Sequence, residues 1–187
     1  MNIYSIIALF LHIVGALGVS VAVGLEWTGL WQIRTAMFPE QVRPWMGIFT
    51  WVRKVGFISM LTTVITGIYM IVTYWGGKPW IIVTMGSLIL VIALAQALTA
   101  PRMAAIGRAL ATGKEPVSQT FYKLVNDPML WSSIQTRVAI VLGIIFLKIA
   151  KPDFGGSLLT VGVAIVLGIA SVLPMSRRLH AGETSTD

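Results

Sequence analysis

Long apolar runs separated by short polar ones set the pattern of this chain. Four runs, residues 3–25, 55–75, 80–100 and 158–175, contain no Asp, Glu, Lys or Arg. A helix needs about 20 predominantly apolar residues to cross the hydrocarbon core, and the first three meet that length. The fourth is short but uncharged. A fifth run, residues 131–149, holds Arg137 and Lys148 with only "VAIVLGIIFL" between them. Ten helical residues rise about 15 Å, half a hydrocarbon core. Either this run does not cross, or Arg137 lies inside the membrane.

Charge placement decides in favour of crossing. With five spans, one side holds Arg34, Arg43, Arg53, Lys54, Arg102, Arg108, Lys114, Lys123, Arg137, Arg177 and Arg178, and the other holds Lys78, Lys148 and Lys151. The positive-inside rule then puts the N-terminus outside and the C-terminus in the cytoplasm. Four spans would strand Arg177 and Arg178 on the sparsely charged side. Tryptophan agrees: Trp27, Trp31, Trp45, Trp51 and Trp131 fall near cytoplasmic ends, Trp75 and Trp80 near an outer turn, and indoles settle at headgroup level. The expected fold is all-α, an integral membrane bundle of five transmembrane helices with short interfacial amphipathic helices. It forms one domain over residues 1–181, followed by a polar, disordered tail at 182–187.

The connections refine this. Leu30, Ile33 and Met37 keep helical spacing beyond the first run. Pro39 and Pro44 are expected to break that helix, and "PWMGIF" reads as a new interfacial helix with proline at its first position. Met103, Ile106 and Leu110 share a face that Gly113 should end, and a second short helix is expected over 118–125. The outer turns, 76–79 and 151–156, are rich in Gly and Pro.

Composition narrows the class. The chain is 56% hydrophobic and 11% charged, against about 25% charged in ordinary soluble domains. Its net charge of +7 lies at the ends of apolar runs. That suits anionic lipid headgroups at the cytoplasmic face, not nucleic acid, because no aromatic-interleaved basic groove accompanies it. The absence of cysteine excludes disulfides and thiolate-held clusters. The N-terminus lacks a basic n-region, so the first run reads as a retained span. No Walker loop, HExxH, GxSxG or strand-borne GxGxxG occurs, nor a pair of intramembrane carboxylates, so hydrolytic chemistry is not expected and no catalytic or metal-binding residue is assigned.

Two features could carry function. His12 lies nine residues past Ile3, about 14 Å into its span and close to the midplane. Ala8, Ala16, Ser20 and Gly24 share its face, a small-residue stripe suited to a close helix neighbour. The imidazole could bond Thr62, Thr63, Thr66 or Tyr69 on the second span. It could serve as an axial ligand of a b-type haem, with a second copy of His12 or a methionine opposite, since His180 lies in the tail. It could also relay protons. The second feature is a layer of Arg137, Gln96 and Glu26, in which an Arg137–Glu26 pair relayed through Gln96 would clasp spans one, three and four. Met60, Met70 and Met85 do not share a site and read as packing. Ser59, Thr63 and Gly67, Ala139 and Gly143, and Thr160, Ala164 and Gly168 form further close-packing stripes.

"LHIVGALGVSVAVGLE" and "RVAIVLGIIFLKIAKPD" resemble the first and a late span of small bacterial multi-pass proteins. These belong to a predicted integral-membrane family of unknown function that borders the copper-resistance protein D family. The resemblance implies a bacterial inner-membrane protein and makes His12 and Arg137 family features. The chain departs from copper handling in lacking clustered Met, His or Cys ligands. The function expected is non-enzymatic: a scaffold or accessory subunit packing with other membrane subunits or with itself. The alternatives are a haem or redox protein using His12, and a small transporter or channel using His12 and the Arg137 layer.

Overall fold

Asn2 starts the first helix by accepting a hydrogen bond from the Ser5 backbone N–H at 3.0 Å, which satisfies one of the free donors of a helix N-terminus. With no proline before residue 39, nothing interrupts α1, which runs Ile3–Thr35. The computed structural model describes residues 2–111 and 119–172. Helix α2 covers Pro39–Met70 and passes into a π-helical turn, Ile71–Trp75. Helix α3, Pro79–Leu94, passes through a second π-helical turn, Ala95–Thr99, into α4, Ala100–Ala111. Then follow α5, Gln119–Val125, α6, Pro128–Ala150, and α7, Phe154–Ala170. Asp127 caps α6 through the Met129 N–H at 2.8 Å, and Asp153 caps α7 through the Gly156 N–H at 2.8 Å.

The helices are longer than the apolar runs within them. The expected break at Pro44 is absent. Pro39 takes the first position of α2, where its missing N–H costs nothing. Pro44 comes early enough that a single bond, to the Glu40 carbonyl, is forgone. "PWMGIF" is therefore the start of α2 and not a separate helix. Met37 lies beyond the end of α1 and is 66% exposed, while Leu30 and Ile33 are fully buried. Residues 101–111 likewise continue the third run. Pro101 comes just after the π turn Ala95–Thr99, a local rewinding that lets a membrane helix accommodate proline. Gly113, the residue at 118 and everything after 172, including Arg177, Arg178, His180 and the tail, lie outside the described residues.

Four helical stretches are long and apolar enough to cross a membrane: Ile3–Thr35, Pro39–Trp75, Pro79–Ala111 and Gln119–Ala150. Helix α7 is apolar but has 17 residues, a rise of about 26 Å. There is no strand among the described residues. The protein is an all-α bundle of the membrane-spanning type.

Its two ends differ. At the capped end, the extensions of α1 and α2 meet α4, α5 and the start of α6. Leu30, Ile33, Val42, Ile106, Phe121 and Ile134 are fully buried there. The Trp131 indole N–H bonds the Val125 carbonyl at 2.8 Å, and the Tyr122 hydroxyl bonds the Ala36 carbonyl at 3.2 Å. The apolar faces of α4 and α5 thus cover this core instead of lying on lipid. At the open end are the start of α1 and the turns after Trp75 and Ala150.

Small residues join the helices between the ends. A Cβ on Gly15 would stand 2.6 Å from Thr63 Oγ1 and 2.9 Å from the Ser59 carbonyl, so only glycine lets α1 approach α2 this closely. Gly143 faces Ala164 at 3.5 Å, and Gly168 abuts the Thr136 backbone, which joins α6 to α7 through the stripes seen in sequence. On α1, however, the face against its neighbours is His12, Gly15, Val19 and Ala22. Ala8, Ala16 and Ser20 are half-buried, and Gly24 is exposed with nothing near its Cβ position. The expected stripe is turned aside from the close contact. Met60 and Met85 pack against Leu88, Val91, Ile140 and Ile144, and Met70 is buried.

Candidate functional site

The first polar layer lies toward the capped end. Arg137 on α6 is 3% exposed, and its Nη2 meets Glu26 Oε2 of α1 at 2.7 Å. Nη2 also donates to Thr99 Oγ1 at 3.3 Å. Thr99 and Ser133 share a hydrogen bond at 3.0 Å, and the Ser133 hydroxyl donates to the Leu94 carbonyl at 3.1 Å. Arg137 Nε has no partner. The ion pair is therefore direct, and Gln96 is not its relay: Gln96 is exposed, while Thr99 is buried. Gln96 matches Arg137 in height, but the side of this helix that meets α6 there carries Thr99. Nearby, Arg102 Nε bonds Asp127 Oδ2 at 2.7 Å and ties α4 to the start of α6.

The second layer lies at the open end. His12 Nδ1 is 3.0 Å from the Thr63 carbonyl oxygen and 3.3 Å from Thr66 Oγ1. A carbonyl oxygen only accepts, so Nδ1 carries the proton and donates. Nε2 then offers a lone pair to Lys148 Nζ, 2.8 Å away. That geometry fits an imidazole that accepts a hydrogen bond from the Lys148 side chain at Nε2. The Trp75 ring stands edge-on to His12, with centroids 6.3 Å apart.

His12 packs against Thr63, Thr66 and Gly67, in the middle of the 55–75 run of α2. The side chains of Trp75 and Lys148 reach it from nearer the open end. Helix α1 continues toward that end, and Ser5, one side of a hydroxyl contact with Tyr74, lies two turns above His12.

A crevice of ≈ 640 Å³ opens between α1 and α6 beside this pair. Leu9, Ile13, Ala16 and Leu17 form one wall, Ile145 and Ile149 the other, with Trp75, Trp80, Lys78 and Lys151 at its mouth. Ile13, Leu17, Ile145 and Ile149 are exposed, so the crevice opens sideways as well as outward. A smaller cavity of ≈ 80 Å³ continues inward past Gly67, Thr84 and Leu88. Lys151 takes φ 48° and ψ 50° at the C-cap of α6, a left-handed conformation usually left to glycine or asparagine. Among the described residues, the ion pairs are Arg102–Asp127 and Arg137–Glu26 alone. Lys78, Lys148 and Lys151 have no carboxylate partner among the described residues.

The donor set does not fit haem. Iron needs a free imidazole lone pair, and Lys148 Nζ stands on Nε2, the ring nitrogen that the Nδ1–carbonyl bond would otherwise leave for it. No group of three His, Cys, Asp or Glu side chains converges among the described residues.

The spacing held a signal for both layers. Arg137 and Lys148 are eleven residues apart, within about 20° around α6, so both can face α1. His12 and Glu26 are fourteen apart, about four turns of α1. The partnership of Lys148 could have been read from this match. Thr99 is harder to read, because its helix passes through a π turn there. Such turns hold well under 1% of residues and concentrate at functional sites. Here one presents Trp75 to His12 and the other presents Thr99 to Arg137.

These features define a class, a multi-pass helical bundle with one closed and one open polar layer. No family model matches the chain, and no curated protein or solved structure matches it.

Proposed function

We propose that this chain is a non-enzymatic multi-pass protein of the bacterial inner membrane whose open end binds an anionic ligand. The observation that carries this reading is the Lys148–His12 pair: an ammonium with a neutral partner, at the wall of a crevice whose mouth adds Lys78 and Lys151 and no acid. An ammonium away from bulk water is costly until an anion joins it. The charge asymmetry between the two sides supports an open end outside and a capped end in the cytoplasm. The resemblance of the first and late spans to small bacterial membrane proteins supports the inner membrane. At the capped end, Trp51 and Lys54 in cation–π contact at 5.6 Å suit anionic headgroups.

The test is ¹⁵N NMR of the histidine ring in the full chain, reconstituted in phosphatidylcholine nanodiscs and titrated with butyrate. A saturable shift of the His12 Nε2 signal that is lost in Lys148→Met is the expected result. No shift at any butyrate concentration up to 100-fold over the protein and beyond, into the tens of millimolar, overturns the reading. Anion flux in liposomes that depends on Lys148 would replace binding with transport.

An accessory-subunit role has one observation in its favour. The apolar window of Pro39–Trp75 is 17% buried, against 44% for Gln119–Ala150, which leaves α2 a broad face for another subunit or a second copy. Crosslinking from Ile58 or Ile65 at that face should then yield a discrete adduct, and its absence would leave the face to lipid.

A further inference from the structure

The crevice has an apolar length as well as a basic mouth, and the two together select the class of ligand. Lys148 has three protons, one committed to His12 Nε2, so two remain for an incoming acceptor. His12 offers none, because its single N–H is spent on the Thr63 carbonyl. The basic groups that face the opening are thus Lys148 on the wall and Lys78 and Lys151 at the mouth. Below them, polar groups are few and satisfied: the Ser20 hydroxyl donates to the Ala16 carbonyl at 3.0 Å. The walls are otherwise Leu9, Ile13, Leu17, Ile145 and Ile149. Ala16 and Ser20 do not enter the close α1–α2 contact. Their small side chains leave room along α1 where a larger residue would fill the groove.

A free inorganic anion would use the mouth and leave this apolar channel without a function. An uncharged alkyl chain would use the channel and leave three ammonium groups uncompensated. We infer that the occupant is a single-chain anionic amphiphile of the outer leaflet, its carboxylate held by Lys148 with Lys78 and Lys151, its alkyl chain lying between α1 and α6. A volume of ≈ 640 Å³ falls within the roughly 300–1,000 Å³ of sites that enclose one small-molecule ligand. The sideways opening past Ile13 and Ile149 gives such a molecule entry from lipid. This inference rests on the anion-binding reading above and adds the chain.

The experiment uses the full chain in phosphatidylcholine nanodiscs, with dodecanoate brominated along its chain as the probe. Bromine quenches an indole on contact, and Trp75 and Trp80 border the crevice. A Trp75→Phe/Trp80→Phe variant supplies the background. Saturable quenching by the brominated acid is expected, with at least tenfold weaker binding to Lys148→Met and binding within about threefold of the unmodified chain for Lys148→Arg, which keeps the charge. Brominated dodecanol should give only the unsaturable quenching of bulk lipid. If butyrate shifts the His12 signal but the brominated acid quenches no more than the alcohol, the anion reading stands and the amphiphile inference falls. If brominated phosphatidylglycerol competes as well as the acid, the occupant is a two-chain lipid and the inference also falls. If neither butyrate nor the acid binds, both fail. Lys148→Arg binding as weakly as Lys148→Met would overturn the assignment of the head to the charge at this position.

Discussion

The two polar layers of this bundle solve one problem in opposite ways. Each brings a long basic side chain of α6 to a residue of α1. Toward the capped end, Arg137 meets a carboxylate and a hydroxyl within a well-buried surround. At the open end, Lys148 meets an imidazole beside a crevice. The first arrangement neutralises its own charge and needs nothing from outside. The second leaves a net positive charge next to space. A charge in an apolar setting is tolerated when it is paired, and retained unpaired where something else will pair it. On the reading proposed above, the difference between the ends separates a structural clasp from a place to bind.

Breaking the clasp should have the largest effect. Glu26→Gln leaves Arg137 buried without a counter-charge and should cost about 3–5 kcal/mol. Equilibrium unfolding in mixed micelles would measure it. Adding Arg137→Met should recover most of that loss, since removing both partners of a buried pair costs far less than removing one. A single variant within 1 kcal/mol of the unmodified chain, as an order-of-magnitude threshold, would show that the pair is not what holds α1 to α6.

Two adjacent residues of α1 sharpen the contrast further. Gly15 faces α2, where a Cβ meets Thr63 and the Ser59 carbonyl. Ala16 faces the crevice. Gly15→Leu should destabilise by about 1–3 kcal/mol or more through overpacking. Ala16→Leu should leave stability almost unchanged and narrow the crevice, which weakens capture of the brominated acid. Equal losses of stability from the two would mean that Ala16 is packed like its neighbour.

Much of the fold was legible because the physics is coarse. Apolar length marks the spanning helices, and the stripes through Gly143 and Ala164 mark which helices touch. The boundaries were less legible. Pro44 read as a break because proline usually is one, yet it sits near a helix start, and the third run was ended at residue 100 although its helix continues past Pro101. Of the polar groups, Glu26 and Arg137 were visible as charges that had to be reconciled with their depth. Gln96 was placed in the layer by its depth from the end of the third run, a measure that fixes height along a helix and not the direction a residue faces. His12 was visible, with Thr63 and Thr66 among its expected partners, but Lys148 was read only as the end of a span. Its partnership needed the relative heights of α1 and α6, which no single-helix pattern contains.

Lys148→Met should have the smallest effect on stability, and this sets the two ends most directly against each other. The substitution removes one hydrogen bond to His12 Nε2 and leaves that acceptor bare, a loss of about 1 kcal/mol. It also removes an ammonium with no carboxylate in reach and puts a flexible apolar side chain among Ile145, Ile149 and Leu9, which offsets much of that loss. The net change should fall within about 1 kcal/mol of zero, in the same micelle unfolding measurement that reads a large loss for Glu26→Gln. Two basic residues on one face of α6, eleven positions apart, would then differ several-fold in what they give the fold. A loss as large as that of Glu26→Gln would mean that Lys148 is as structural as Arg137, and the open layer would be a second clasp and not a binding site.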